Sequence, residues 1–213
     1  LVYASTFLKE PKTLIEASVH HHEEEKMAVI IMELIGKTHE ERFYPSVSGL
    51  AQSFNYYPTS YMKRNEGVAY IALGLGRTIS DGEKSLRFAP KYPAIIPQYY
   101  SVRSTISNSQ NHFYALNLKK GAELLKKNDN ENTTLYDLKT AESDGELFWA
   151  ASTVSSSDNK IRDSLKDDGI RVVTFPSLLK WNTAPVTQIL QDILEMGERS
   201  LGCPIEIEFA INL

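Results

Sequence analysis

Apolar positions along this chain recur first at helical spacing, then in short runs and alternations, and near the end at helical spacing again. Leu1, Phe7, Leu8, Leu14, Ile15 and Val19 suit helix over residues 1–26, broken at Pro11, which can open a second helix. The run MAVIIMELI, residues 27–35, predicts a buried strand. Residues 48–55 and 67–73 predict two more, set apart by Pro45, Pro58 and the polar residues 63–66. Residues 112–118, 146–154 and 170–175 read as further strands. Residues 88–111 read as a Pro- and Tyr-rich loop, 119–127 as a short helix and 128–134 as a polar loop. Residues 184–201 form an amphipathic helical pattern through Val186, Ile189, Leu190, Ile193, Leu194 and Leu201. Strands come in runs without a regular βαβα alternation, and no internal repeat is present. This predicts an α+β fold, a mostly antiparallel sheet packed with helices. The chain divides into a helical lead-in over 1–26 and an α+β lobe over 27–213.

The last stretch, GCPIEIEFAI, alternates most sharply. Glu206 and Glu208 are two apart, so on a strand both project to one face while Ile205, Ile207 and Phe209 project to the other. Two carboxylates on one face repel unless a cation lies between them, which makes this the first place to seek a magnesium or phosphate site. The plainer alternative is a solvated face of an amphipathic strand. Asn212, four after Glu208, could add a neutral oxygen or cap the strand.

Composition narrows the partners. A net charge of −4 leaves no basic footprint for nucleic acid or an anionic membrane surface. The apolar run at 27–35 is too short to span a bilayer and contains Glu33. The single cysteine, Cys203, excludes an internal disulfide, fits a cytoplasmic location, and reads as a small buried residue. No signal peptide is visible, and the start at Leu1 within a helical pattern suggests a piece of a longer protein.

GLGRTISDG, Gly74 to Gly82, follows a strand as a phosphate loop would. It lacks the spacing of a dinucleotide fingerprint and the Gly-Lys-Ser/Thr of a Walker loop, so it is either an anion-binding turn or a plain one. His20, His21 and His22 point in different directions on a helix and cannot share one ion; a solvated helix end accounts for them. Arg42 and Arg103 are the arginines to watch as phosphate contacts.

In order, MAVIIMELIG, SGLAQSFN, VAYIALGLGRTISDG, HFYAL and GCPIEIEFAI make the chain resemble the nucleotide-binding domain of phosphoenolpyruvate synthases and pyruvate phosphate dikinases, the synthase-like proteins most closely. The resemblance implies one lobe of an ATP-grasp fold, with ATP and Mg2+ as ligands. It implies that Met32, Glu33 and Leu34 form the adenine hinge, that Gly49 is the glycine of the "SGV.FT" strand, and that Gly74, Leu75 and Gly76 match the "GLGE" motif, with Arg77 in the place of its glutamate. It implies further that Glu206 and Glu208 match the acids of "DIEWA", Glu208 being the magnesium ligand that bridges ATP phosphates. The parent enzyme would pass phosphate from ATP through a phosphohistidine to pyruvate, giving phosphoenolpyruvate, AMP and phosphate. The phosphate-clamping lysine and arginine, the "QARPET" strand, the phosphohistidine domain and the pyruvate-binding barrel would lie outside these residues, leaving this piece inactive alone. An antibiotic-phosphorylating relative and a degenerate lobe for nucleotide sensing or protein contact are the rival readings.

Overall fold

The computed structural model describes residues 28–119 and 132–213. The chain forms two compact units, Leu1–Leu34 and Ile35–Leu213. In the first, residues 28–34 have no regular secondary structure, and Ile30, Ile31 and Met32 lie open to solvent. Over the described residues 28–35 the predicted strand is therefore not formed. A β-rich run becomes a strand only when a neighbour takes up its N–H and C=O groups, and none of the described strands pairs with it. The helical lead-in of residues 1–26, with its three histidines, lies outside the described residues, as does the helix predicted over 119–127 beyond Lys119.

The second unit runs β1 (Lys37–His39), β2 (Arg42–Tyr44), β3 (Val47–Gln52), β4 (Val68–Ala72), α1 (Arg77–Ser80), β5 (Leu86–Phe88), α2 (Val102–Asn108), β6 (His112–Asn117), β7 (Thr133–Asp137), α3 (Leu138–Ser143), α4 (Leu147–Ala150), β8 (Ala151–Ser155), β9 (Ile161–Arg162), β10 (Gly169–Val173), α5 (Pro176–Leu179), α6 (Val186–Leu201) and β11 (Glu206–Ile211). These strands build three antiparallel sheets, ordered β1-β2-β6-β7, β10-β8-β9 and β11-β3-β4-β5. The α+β class and the antiparallel pairing agree with the sequence pattern. Tyr44, Ile71, Leu73, Phe88, Phe113, Leu147 and Phe175 are fully buried in one continuous core. Each contributes about 1.5–3 kcal/mol by leaving water.

Several local expectations give way. Residues 146–154 open as α4 before becoming β8, and the loop-like 88–111 contains α2, whose first turn is capped by the Ser101 side chain accepting from the Ser104 N–H. β7 begins at Thr133, inside the predicted polar loop. α6 buries Val186, Thr187, Leu190 and Leu194 but leaves Ile189, Ile193 and Leu201 exposed, because it meets the core along the edge through Val186, Leu190 and Leu194. Cys203 is exposed, not buried, since the turn after the left-handed Gly202 carries it outward. Among the described residues no helix is long and apolar enough to cross a membrane.

Charged groups fasten the β1–β2 hairpin to the turn at 144–146. Arg42 donates through Nη2 and Nε to Asp144 at 2.7 and 3.2 Å, and the Tyr44 hydroxyl donates to the same carboxylate at 2.7 Å. Arg42 is thereby engaged in the fold and is not a free phosphate contact. Glu146, buried, accepts from Lys37 Nζ at 3.0 Å and from the Ser46 hydroxyl. Burial alone would push the Asp144 carboxyl up, but the hydrogen bonds from Arg42 and Tyr44 and the guanidinium charge outweigh it and hold the pKa below the ordinary value. A depressed folded-state pKa gives stability that is present above the unfolded value of about 3.9 and is lost as pH falls toward the folded value. Asp144→Asn is therefore expected to lower the melting midpoint at pH 7 and to weaken its decline below about pH 4. Thermal melts across pH check this; an unchanged midpoint at pH 7 would refute it.

A candidate site on the β11–β3–β4–β5 face

The register of the last strand decides which side chains share a face. Glu206 pairs with Gln52, Glu208 with Leu50, Phe209 with Gly49 and Ala210 with Ser48. Directly opposed residues project to the same side. Glu206, Glu208 and Ala210 therefore share one face with Gln52, Leu50 and Ser48, while Ile207, Phe209 and Ile211 join Ala51, Gly49 and Val47 on the core side. The side chains of β11 alternate exposed and half-buried without exception, as the sequence pattern predicts. Phe209 lies over Gly49, where the absence of a Cβ makes room for its ring. The ladder continues past the strand, with the Ser53 N–H donating to Ile205 O at 2.9 Å and the Ile205 N–H to the Ser53 hydroxyl at 3.0 Å.

The two acids are not equivalent. Gln52 Nε2 donates to Glu206 at 2.5 Å, whereas among the described residues no hydrogen bond or ion pair engages Glu208. Gln52 could not be singled out in the sequence, because its role depends on a partner 154 residues away.

The glycine turn meets the other end of this face. Ser48, nearly buried, donates its hydroxyl to Gly74 O at 2.6 Å, and Gly76 stands against Ser48 Cβ. Gly74 is left-handed, with φ 83°, and a Cβ there would stand 2.7 Å from the carbonyl oxygen of Tyr114, so both backbone and space require glycine. The Leu75 N–H donates to that carbonyl at 2.9 Å. Gln110, 3 % exposed, exchanges hydrogen bonds of 2.8 and 2.9 Å with the backbone N–H and C=O of Leu73, acting as a one-residue substitute for a neighbouring strand. Its signal in the sequence is only a polar residue between a helix and a strand.

Arg77 faces protein. It donates to Asp81 at 2.8 Å and to the Thr133 hydroxyl, and its guanidinium lies 4.7 Å from the Tyr114 ring centroid. Arg103 is exposed on α2. Asn212 donates to Gly36 O at 3.1 Å, a strand-end tie that matches the capping alternative. Met32, Glu33 and Leu34 belong to the first unit, where all three are exposed.

Among the described residues no group of three or more His, Cys, Asp or Glu is arranged to hold a metal. The donor chemistry nevertheless suits magnesium, which takes one or two carboxylates and completes its shell with water and phosphate oxygens; an unengaged, exposed Glu208 beside Glu206 is such a donor set.

A family model described as pyruvate phosphate dikinase, AMP/ATP-binding domain, matches residues 1–213. No curated protein and no solved structure gives a match.

Proposed function

Because the chain belongs to the pyruvate phosphate dikinase AMP/ATP-binding domain family, we propose that it is one lobe of an ATP-grasp site in a synthase-like phosphotransferase. That enzyme would make phosphoenolpyruvate from pyruvate and ATP through a phosphohistidine outside these residues. The observation that carries this reading is the shared face on which β11 presents Glu208 and Glu206 and at whose end Ser48 holds the Gly74–Gly76 turn.

In this reading Glu208 is the principal magnesium ligand, and Glu206, held by Gln52, assists it. Magnesium bound there would neutralise charge on the transferring phosphate, the main requirement of phosphoryl transfer. Gly74 and Gly76 would let the backbone approach the nucleotide closely; the adenine-hinge role of Met32, Glu33 and Leu34 is carried by the family resemblance alone. A second reading, a degenerate nucleotide-sensing lobe, draws on Arg77, which stands where many relatives carry glutamate and binds Asp81, Thr133 and Tyr114.

The test is AMP formation from MgATP by the full-length protein, with and without pyruvate. Pyruvate-dependent AMP is the expected result. MgATP binding without turnover would favour the degenerate lobe, and absence of binding would overturn both readings.

A further inference from the structure

Across the site-bearing sheet, Glu208 pairs with Leu50, Leu50 with Tyr70 and Tyr70 with Arg87. All four side chains therefore lie on one face in one cross-strand row, and three strand spacings separate its ends by about 14 Å. Arg87 does not project freely. Its Nη1 donates to the Thr59 hydroxyl at 3.1 Å, and its Nη2 donates to Asn55 Oδ1 at 3.0 Å and to Tyr57 O at 2.6 Å. Its guanidinium carbon stands 5.7 Å from the Tyr70 ring centroid. Asn55, itself 1 % exposed, also accepts from the Tyr57 N–H at 3.2 Å. One planar fork thus gathers three oxygens of residues 55–59 onto the face that carries the acids.

This loop leaves β3 just past Gln52, the partner of Glu206, whereas the glycine turn meets Ser48 at the opposite end of the same strand. The carboxylates lie between the two. The loop presents Tyr57 with 83 % of its surface free. Among the described residues no carboxylate forms an ion pair with Arg87, whose Nη1 and Nη2 bonds go to uncharged oxygens of the loop.

We propose that Arg87 is a positioning residue of the nucleotide site. It holds residues 55–59 as a wall opposite the glycine turn, where Tyr57 contacts bound MgATP and the guanidinium charge favours the phosphates. The inference rests on the nucleotide-binding reading above and adds two residues to it.

Titration calorimetry of MgATP against the full-length protein separates affinity from the fraction of competent sites. Arg87→Ala is expected to raise Kd about tenfold with stoichiometry retained, and Arg87→Lys to leave most of that loss, since an ammonium cannot serve three oxygens in the same geometry. Tyr57→Ala, at an exposed side chain, is expected to raise Kd several-fold with an unchanged melting midpoint. If Arg87→Ala lowers the stoichiometry while Kd stays at the wild-type value, Arg87 supports the fold alone and the proposal is overturned. It is equally overturned if Tyr57→Ala binds like wild type. Should wild type bind no MgATP, or Glu208→Ala bind it as tightly as wild type, the nucleotide reading itself fails.

Discussion

Glu208→Ala is expected to reduce MgATP-dependent phosphoryl transfer by the full-length protein about 10²–10³-fold, the usual cost of removing one preorganised electrostatic group that acts on developing charge. Stability should be unaffected, because the Glu208 side chain is exposed and, among the described residues, makes no hydrogen bond or ion pair. Glu206→Ala should cost about tenfold less, since that carboxylate is already taken up by Gln52. The Mg2+ concentration for half-maximal activity should rise more in the Glu208 variant than in the Glu206 variant. Steady-state turnover and melting midpoints of the two variants decide this. Equal losses would remove the distinction drawn between the two acids, and full activity in Glu208→Ala would remove the assignment.

Gly49→Ala is expected to lower stability substantially. A Cβ there would stand 2.1 Å from Phe209 Cζ and 2.6 and 2.7 Å from the adjoining ring carbons. The ring is packed against the core through a half-buried position and has to be displaced. Overpacking of this kind costs about 1–3 kcal/mol, which for a chain of this size lowers the melting midpoint by roughly 2–12 °C. Because Phe209 is the neighbour of Glu208 in β11, the same substitution should also weaken MgATP binding. Phe209→Leu in the Gly49→Ala background shortens the side chain at the point of collision and should recover most of the stability. A Gly49→Ala protein that melts like wild type would show that β11 can shift without cost.

Legibility in the sequence followed the range of the interactions. The alternation of Glu206, Ile207, Glu208 and Phe209 is a local pattern, and the strand adopts it. The glycine turn was legible for the same reason, because a left-handed Gly74 after a strand is a short-range requirement. β1 and β2 were missed because three-residue strands have too few positions to display a period. The run at 27–35 misled in the opposite direction: it has the composition of a strand but no described partner. Arg42 carries no local mark of its engagement, because Asp144, its partner, is 102 residues away. Arg87, Gln52 and Gln110 are equally unmarked in the sequence, each acting through a bond to a distant element or loop whose place only the folded chain reveals.

The pairing of β11 with β3 also sets a timetable. Its contacts join residues more than 150 positions apart, from Gln52 with Glu206 to Ser46 with Leu213. Loop closure on that scale is slow, and a chain leaving the ribosome forms its nearby contacts first. β3 and β4 can therefore zip together early, leaving the outer edge of β3 unpaired until residues 206–211 have been made, and open to strand addition by another chain. The carboxylate strand is the last of the four to arrive and closes that edge in the same event. If the acids bind nucleotide as proposed, that competence and protection from aggregation would be acquired together, when β11 docks on β3.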